Sequence, residues 1–263
     1  MATQVLQGKI AVVFGGGGSI GAAVAREFAA EGAEVFLAGR NMSSVDSVAR
    51  QIASNGGKAQ AATVDTLDDA SVISYADDVV SRAGKIDIVL DAAGPRAKEY
   101  GNGKNAVELT IEEFMAPLTT MVRSRFITAR AAVRHMVKQQ SGVIILVTGS
   151  PARAHVPGAT AIGAAFGAME NLAENLAFEV SPFGVRVVCL RTLGNIDSRS
   201  IQDTMEARNV PEDQRKALFA QSNFLRTAAT VKDTANAAVL IASDRARMLT
   251  GTVVNATAGA ALD

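Results

Sequence analysis

Cysteine occurs once and tryptophan not at all in this chain of 263 residues. A lone cysteine closes no internal disulfide, and Cys189 lies in an apolar run. No signal peptide is legible in Met1-Ala2-Thr3-Gln4, so the expectation is a cytoplasmic protein. No apolar run reaches transmembrane length, which excludes a membrane-spanning helix. Neither sign of charge is in excess: Lys+Arg and Asp+Glu number 26 each. No global field therefore favours nucleic acid or an anionic membrane. Histidine occurs twice, and no metal site is expected. Aromatics are 5% of the chain against 48% hydrophobic residues. Such a core is built from Ala, Val, Ile and Leu, which suits helices packed closely on a parallel sheet.

What is abundant is glycine, and its placement is specific. The apolar run Ile10-Ala11-Val12-Val13-Phe14 leads into Gly15-Gly16-Gly17-Gly18-Ser19-Ile20-Gly21 and then Ala22-Ala23-Val24-Ala25. The order is strand, glycine turn, helix. Glycines let the backbone turn sharply and bring N–H groups close to a pyrophosphate, while the following helix directs its positive end at the same anion. Gly16 to Gly21 satisfies G-x-G-x-x-G, and the flanking elements supply the context that makes it informative. A dinucleotide site is expected.

Strands and helices then alternate. Strands are expected at Ala33–Ala38, Ala59–Val64, Ile86–Leu90, Val143–Val147, Val185–Leu190 and Thr252–Asn255, after the first at Ile10–Phe14. Thr110-Ile111-Glu112-Glu113 and Thr230-Val231-Lys232-Asp233 have the capping-box form of helix starts. Pro117 is expected to split a short helix from the long one through His135. The pattern predicts a Rossmann-like α/β fold, with a doubly wound parallel sheet of about seven strands and helices on both faces. Residues 1–263 are expected to form a single domain.

Ligands of such sheets lie outside the carboxyl ends of the strands. After the second strand comes Gly39-Arg40-Asn41, with no carboxylate to hold the ribose hydroxyls of NAD. Arg40 offers a guanidinium suited to a 2′-phosphate, so NADP(H) is favoured over NAD(H). Asp65, after the third strand, either accepts from an adenine amino group or caps the next helix.

These segments resemble the short-chain dehydrogenase/reductase family over nearly the whole chain. Phe14 to Gly21 is similar to T-G-x-x-x-G-x-G, with Phe14 for Thr and Ser19 for the middle Gly. Val64-Asp65 resembles the adenine-contacting pair. Asp91-Ala92-Ala93-Gly94 keeps the second half of N-N-A-G. Leu193-Gly194-Asn195-Ile196-Asp197-Ser198 resembles P-G-x-I-x-T, a loop that touches the nicotinamide amide in relatives. Asp233 to Ala237 and Leu249-Thr250-Gly251 match the family's C-terminal pattern. The resemblance implies a nicotinamide cofactor held by Gly15, Gly17, Ser19, Ile20, Gly21, Ala93, Gly94, Gly194 and Ile196, with Arg40 and Asp65 at the adenosine end. It also implies a homodimer or homotetramer joined through the long helix before the fifth strand and the helix after it. Gly163, Ala164, Gly167 and Ala168 would allow close approach there.

The family's acid/base residues do not carry over. Its Tyr position falls on Ile162 and its Lys position on Phe166, one helical turn apart and so on one face. Its Ser position falls on Gly149 and its Asn position near Met121. General acid catalysis is typically worth ~10²–10⁴-fold, and an Ile and a Phe supply none of it. Candidates for relocated chemistry are Ser150, Arg153 and His155 after the fifth strand, and Arg96 and Tyr100 after the fourth. Asp91 and Thr148 also lie at strand ends, where Asp91 is either a site residue or a backbone partner, while His135 reads as structural. Three readings remain open at this point. The first is an NADP-binding oxidoreductase with unconventional catalytic residues, acting on a small molecule whose identity the sequence does not give. The second is a lapsed dinucleotide-binding sensor or scaffold subunit, and the third an enzyme of another class on the same scaffold.

Overall fold

Every residue of β1 (Ile10–Phe14) is buried, so both sides of the strand must be covered. In the computed structural model, which describes residues 4–262, this cover comes from helices on two faces. Ile10, Val12 and Phe14 enter one core with Phe36, Val89, Ile144 and Val187. Ala11 and Val13 enter the other, with Leu37, Leu90, Ile145 and Leu190. The period of two along each strand produces this division. Met1, Ala2 and Thr3, which bear on the expectation about a leader, and Asp263 lie outside the described residues.

The sheet contains β1, β2 (Glu34–Gly39), β3 (Lys58–Thr63), β4 (Ile88–Asp91), β5 (Gly142–Gly149), β6 (Val185–Thr192) and β7 (Thr252–Ala256). All neighbours are parallel, in the order β3-β2-β1-β4-β5-β6-β7. The winding reverses between β1 and β4, which opens a crevice at their carboxyl ends. α1 (Ser19–Ala30), α2 (Met42–Ser54) and α9 (Val231–Ala242) cover one face. α3 (Asp69–Ala83), α5 (Arg123–Gln139) and α6 (Thr160–Val180) cover the other. The seven expected strands are all present, with β5 and β6 running further toward the crevice than their apolar runs suggested. No helix among the described residues is long and apolar enough to cross a membrane.

One expectation needs correction. Pro117 does not split the helix. α4 (Ile111–Pro117) passes into α5 through a π turn, Leu118–Val122, whose flanking residues all keep helical dihedrals. Pro117 has no N–H for the Glu113 carbonyl four residues earlier, and in the wider turn that follows the Thr119 and Thr120 hydroxyls donate to Met115 O (3.0 Å) and Ala116 O (2.5 Å). Met121, within this turn, is carried to the crevice. Elsewhere His135 Nε2 pairs with Asp77 at 2.8 Å, joining α5 to α3 as a structural contact.

Beneath the crevice, Arg191 of β6 makes a bidentate pair with Glu170 of α6 at 2.8 and 2.9 Å. Thr148 of β5 also donates to Glu170, at 3.2 Å. Arg191 and Glu170 are 1% and 5% exposed, so removing one partner strands a buried charge. Arg191→Met is expected to lower unfolding stability by ~3–5 kcal/mol, measured by urea denaturation. A loss below ~1 kcal/mol would contradict this role.

Candidate active site

The glycine turn is shaped by close backbone approach. Gly15 has φ +71°, and a Cβ there would lie 2.6 Å from Ala93 N. A Cβ on Gly21 would lie 2.3 Å from Gly15 O, and one on Gly17 would meet Ser44 at 2.8 Å. The turn therefore packs without side chains against α1, α2 and the segment after β4. α1 begins at Gly18 with no side-chain cap and no acidic residue in its first turn. Among the described residues five other helices are capped, by Asn41, Asp68, Thr110, Ser198 and Thr230. An uncapped helix N-terminus behind a glycine cradle fits a pyrophosphate.

The end of β4 is organised by a buried carboxylate. Asp91 accepts from Ala93 N–H (2.8 Å), Ser124 Oγ (2.6 Å) and Thr128 Oγ1 (3.1 Å). Arg125 lies beside it, Nη1 to Oδ1 3.6 Å, and donates to Ala93 O. Both polar groups of the Ala93 peptide segment are thus tied to a side chain. Arg125 is 2% exposed, and burial draws its pKa below the ordinary arginine value while Asp91 opposes the shift. Among the described residues its Nε has no hydrogen-bond partner, and it is closed to solvent.

Above this floor lies a cavity of about 640 Å³, in the usual range for small-molecule sites. It reaches from Ile20 and Ala92 to Gly194, and its walls include Ile162, Phe166 and Met121. Phe166 lies over Gly149, where an added Cβ would come within 2.8 Å of the ring. The roof is formed by α7 (Arg199–Ala207) and α8 (Glu212–Gln221). Arg96 pairs with Asp203 at 2.8 Å, Asn102 donates to Thr204 at 2.8 Å, and Gly103 N–H donates to Gly158 O at 2.9 Å. These contacts tie the segments after β4 and β5 to the roof. On the other side Arg199 N–H donates to Ser19 Oγ at 3.1 Å, linking α7 to the glycine turn.

Ser150, His155 and Tyr100 all line this one cavity. Ser150 and Tyr100 are buried, whereas His155 is exposed at the rim. Burial pushes the Tyr100 phenol up, partly offset by its hydrogen bond to Ser200. Arg96 is occupied by Asp203, and Arg153 is exposed outside the lining. Asp91 proves to be a backbone anchor. Thr148 lines the cavity but is engaged with Glu170. Cys189, its thiol raised to about 12 by burial, is inert at neutral pH.

Among the expected dinucleotide residues, Arg40 is exposed at the end of β2, with no side-chain partner among the described residues. Asp65 is exposed and accepts from Leu67 N–H at 3.0 Å, whereas Asp68 caps α3. Gly94 stands against Met121, and Gly194 lines the cavity where a Cβ would meet Ile201 at 3.0 Å. Ile196 lies outside the lining, and its N–H is spent on Ala229 O at 2.8 Å. Sequence reasoning missed Arg125 and the roof helices. The signal for Arg125 was a cation on the otherwise uncharged stripe Met121, Arg125, Thr128, Ala132, Met136.

The sequence model of a family described as Enoyl-(Acyl carrier protein) reductase matches residues 16–261. The 7alpha-hydroxysteroid dehydrogenase of Escherichia coli (strain K12) is 27% identical over 254 residues, 97% of this chain and 94% of that protein. The 3-oxoacyl-(acyl-carrier-protein) reductase FabG of Chlamydia pneumoniae is 28% identical over 245 residues, 93% of this chain and 94% of that one. A solved 7 alpha-hydroxysteroid dehydrogenase complexed with NADH and 7-oxo glycochenodeoxycholic acid superposes with a TM-score of 0.85. It is 26% identical, covering 99% of this chain and 97% of that one.

Gly15→Ala tests the packing of the glycine turn. The left-handed dihedral and the Ala93 backbone both oppose a Cβ. Stability should fall by more than ~1 kcal/mol in thermal unfolding, and a change within ~0.5 kcal/mol, ordinary for a surface site, would contradict the packing described.

Proposed function

We propose that this chain, which belongs to the short-chain dehydrogenase/reductase family, is an oxidoreductase that uses NADP(H) and draws its proton from residues other than the family's usual Tyr and Lys. Membership rests on the match over residues 16–261, and it carries an oxidoreductase of that type binding a nicotinamide dinucleotide. The finer reading is supported by the make-up of one cavity, in which Ile162 and Phe166 are apolar while Ser150, Tyr100 and His155 bring polar groups to the same space.

The nicotinamide, when bound, supplies hydride. The chain's residues must then hold the ligand oxygen and deliver a proton. Ser150 is suited to orienting that oxygen. Tyr100 remains a neutral phenol because burial raises its pKa, so it donates a hydrogen bond without ionising. His155, exposed to solvent, can give a proton and regain it from water. His155→Ala should cost ~10²-fold in kcat while leaving NADPH binding intact. A kcat unchanged by His155→Ala would contradict this assignment.

Simple ketones should be reduced slowly or not at all even though NADPH binds, and NADPH consumption across ketones and enones tests this. Brisk ketone reduction by the unmodified protein would contradict it. Dinucleotide binding without turnover on any compound would favour a sensor or scaffold subunit.

Arg40 supports the choice of NADP(H), because an exposed guanidinium without a partner suits a 2′-phosphate. Arg40→Ala should weaken NADPH binding about tenfold and leave NADH unchanged, by calorimetric titration. Equal affinities for both cofactors in the unmodified protein would contradict the preference.

The lone buried cysteine fits a cytoplasmic setting. We also read α5 and α6 as the contact of a homodimer or homotetramer. Phe126 and Phe178 are exposed there and Gly167 faces open space. Gly163 serves a different purpose, since a Cβ there would meet Pro151 O of the same chain at 2.8 Å.

A further inference from the structure

We propose that the mouth of the cavity is an anion site centred on Arg208. Its ligand is an elongated apolar molecule whose charged head, a carboxylate or a phosphate, stays at this rim while the body enters the cavity. The inference rests on the reading of the cavity as the substrate site and adds the class of ligand.

Arg208 lines the cavity and is exposed, so a ligand arriving from solvent can reach it. Among the described residues its side chain makes one hydrogen bond, from Nη2 to Pro157 O at 3.3 Å, and no ion pair. A neutral carbonyl leaves the charge uncompensated and two donor nitrogens, Nε and Nη1, for an incoming acceptor. The surroundings carry the same sign. No aspartate or glutamate is among the described residues that line the cavity. Arg153 and Arg199 adjoin the lining residues Ala154 and Ser200 in sequence, and both are exposed without an ion pair among the described residues. The acids on the same roof helix do not offset them. Asp203 is held by Arg96 at 2.8 Å, and Glu206 is exposed outside the lining. The charge of Arg125 is met by Asp91, which leaves Arg208 as the accessible cation of the lining.

The interior selects the body of the ligand. Ile20, Met121, Val147, Ile162, Phe166 and Phe219 present apolar surface. An aliphatic or alicyclic body loses water favourably against them, whereas a charged head drawn in among them would lose its hydration without return. At the rim the head keeps part of its water and gains a charge-assisted hydrogen bond. Pairs of exposed charges are modest in strength and screened by salt, which sets the size of the expected effect.

Octanoate, octyl phosphate and octanamide are matched probes, titrated calorimetrically into protein saturated with NADP so that anion sites of the dinucleotide are filled. At low ionic strength the anions should bind about fivefold more tightly than octanamide. That margin should close at ~0.5 M salt, and the tighter anion names the head group. Arg208→Gln should keep octanamide binding and lose the margin, while Arg208→Lys should retain it. A side chain that served only to strap the roof to Pro157 would instead weaken all three probes together in Arg208→Gln. That pattern, equal affinities for anions and amide in the unmodified protein, or a margin that survives Arg208→Gln would each overturn the proposal. The NADP titration that precedes the probes separates failure of this inference from failure of the oxidoreductase reading. If NADP does not bind, the oxidoreductase reading falls, and the same probes still test the rim in the unliganded protein.

Discussion

The buried carboxylate of Asp91 is the constraint on which the site depends. It ends β4 inside the protein, at 1% exposure, where an ionised group persists only when its oxygens are satisfied. The donors that satisfy it come from the turn ahead of it and from α5. Meeting that demand fixes the 92–94 segment, and this segment is the surface against which Gly15 packs without a side chain. The glycine turn and the floor of the cavity are thus set by one charge. Arg125 shares this arrangement, which explains how a guanidinium is tolerated in a wall built mainly of apolar groups.

Phe166 illustrates a second dependency. Its ring occupies the space above Gly149, so a side chain at 149 would need the ring to move. An apolar residue at 166 and the lack of a side chain at 149 are therefore mutually consistent. Restoring polar chemistry at one of these positions alone would disturb the other. Polar groups reach the cavity instead from the segments after β4 and β5, which the roof contacts at Asp203, Thr204 and Arg208 hold in place.

The layering of the fold was legible because it depends on local pattern. Alternating apolar residues, the glycine turn and the capping boxes each specify an element from a few neighbours in sequence. Most of what escaped depends on partners far apart in the chain, the helical turn after Pro117 being a local exception. Pro117 signalled a break, but the hydroxyls of Thr119 and Thr120 and a wider helical turn absorb it. For Asp91 the sequence left a site role and a backbone bond both open, and the donors from α5 that accompany the backbone bond lie more than thirty residues away. The hydrogen bond from the Ile196 amide to Ala229 O likewise joins segments far apart in sequence. Arg125 was visible only as a cation on an uncharged stripe, and its free Nε is a property of packing.

We propose that the cavity above Asp91 receives the nicotinamide, its reacting carbon facing Ile162 and Phe166 on one side and Ser150, Tyr100 and His155 on the other. A crystal structure with NADP and a carbonyl ligand bound tests this directly. Expected are the pyrophosphate at the N-terminus of α1, the nicotinamide within the cavity, and one of those three polar side chains within hydrogen-bonding reach of a ligand oxygen beside the nicotinamide. A dinucleotide seated elsewhere, or a nicotinamide whose reacting carbon faces only apolar side chains with the ligand in place, would contradict it.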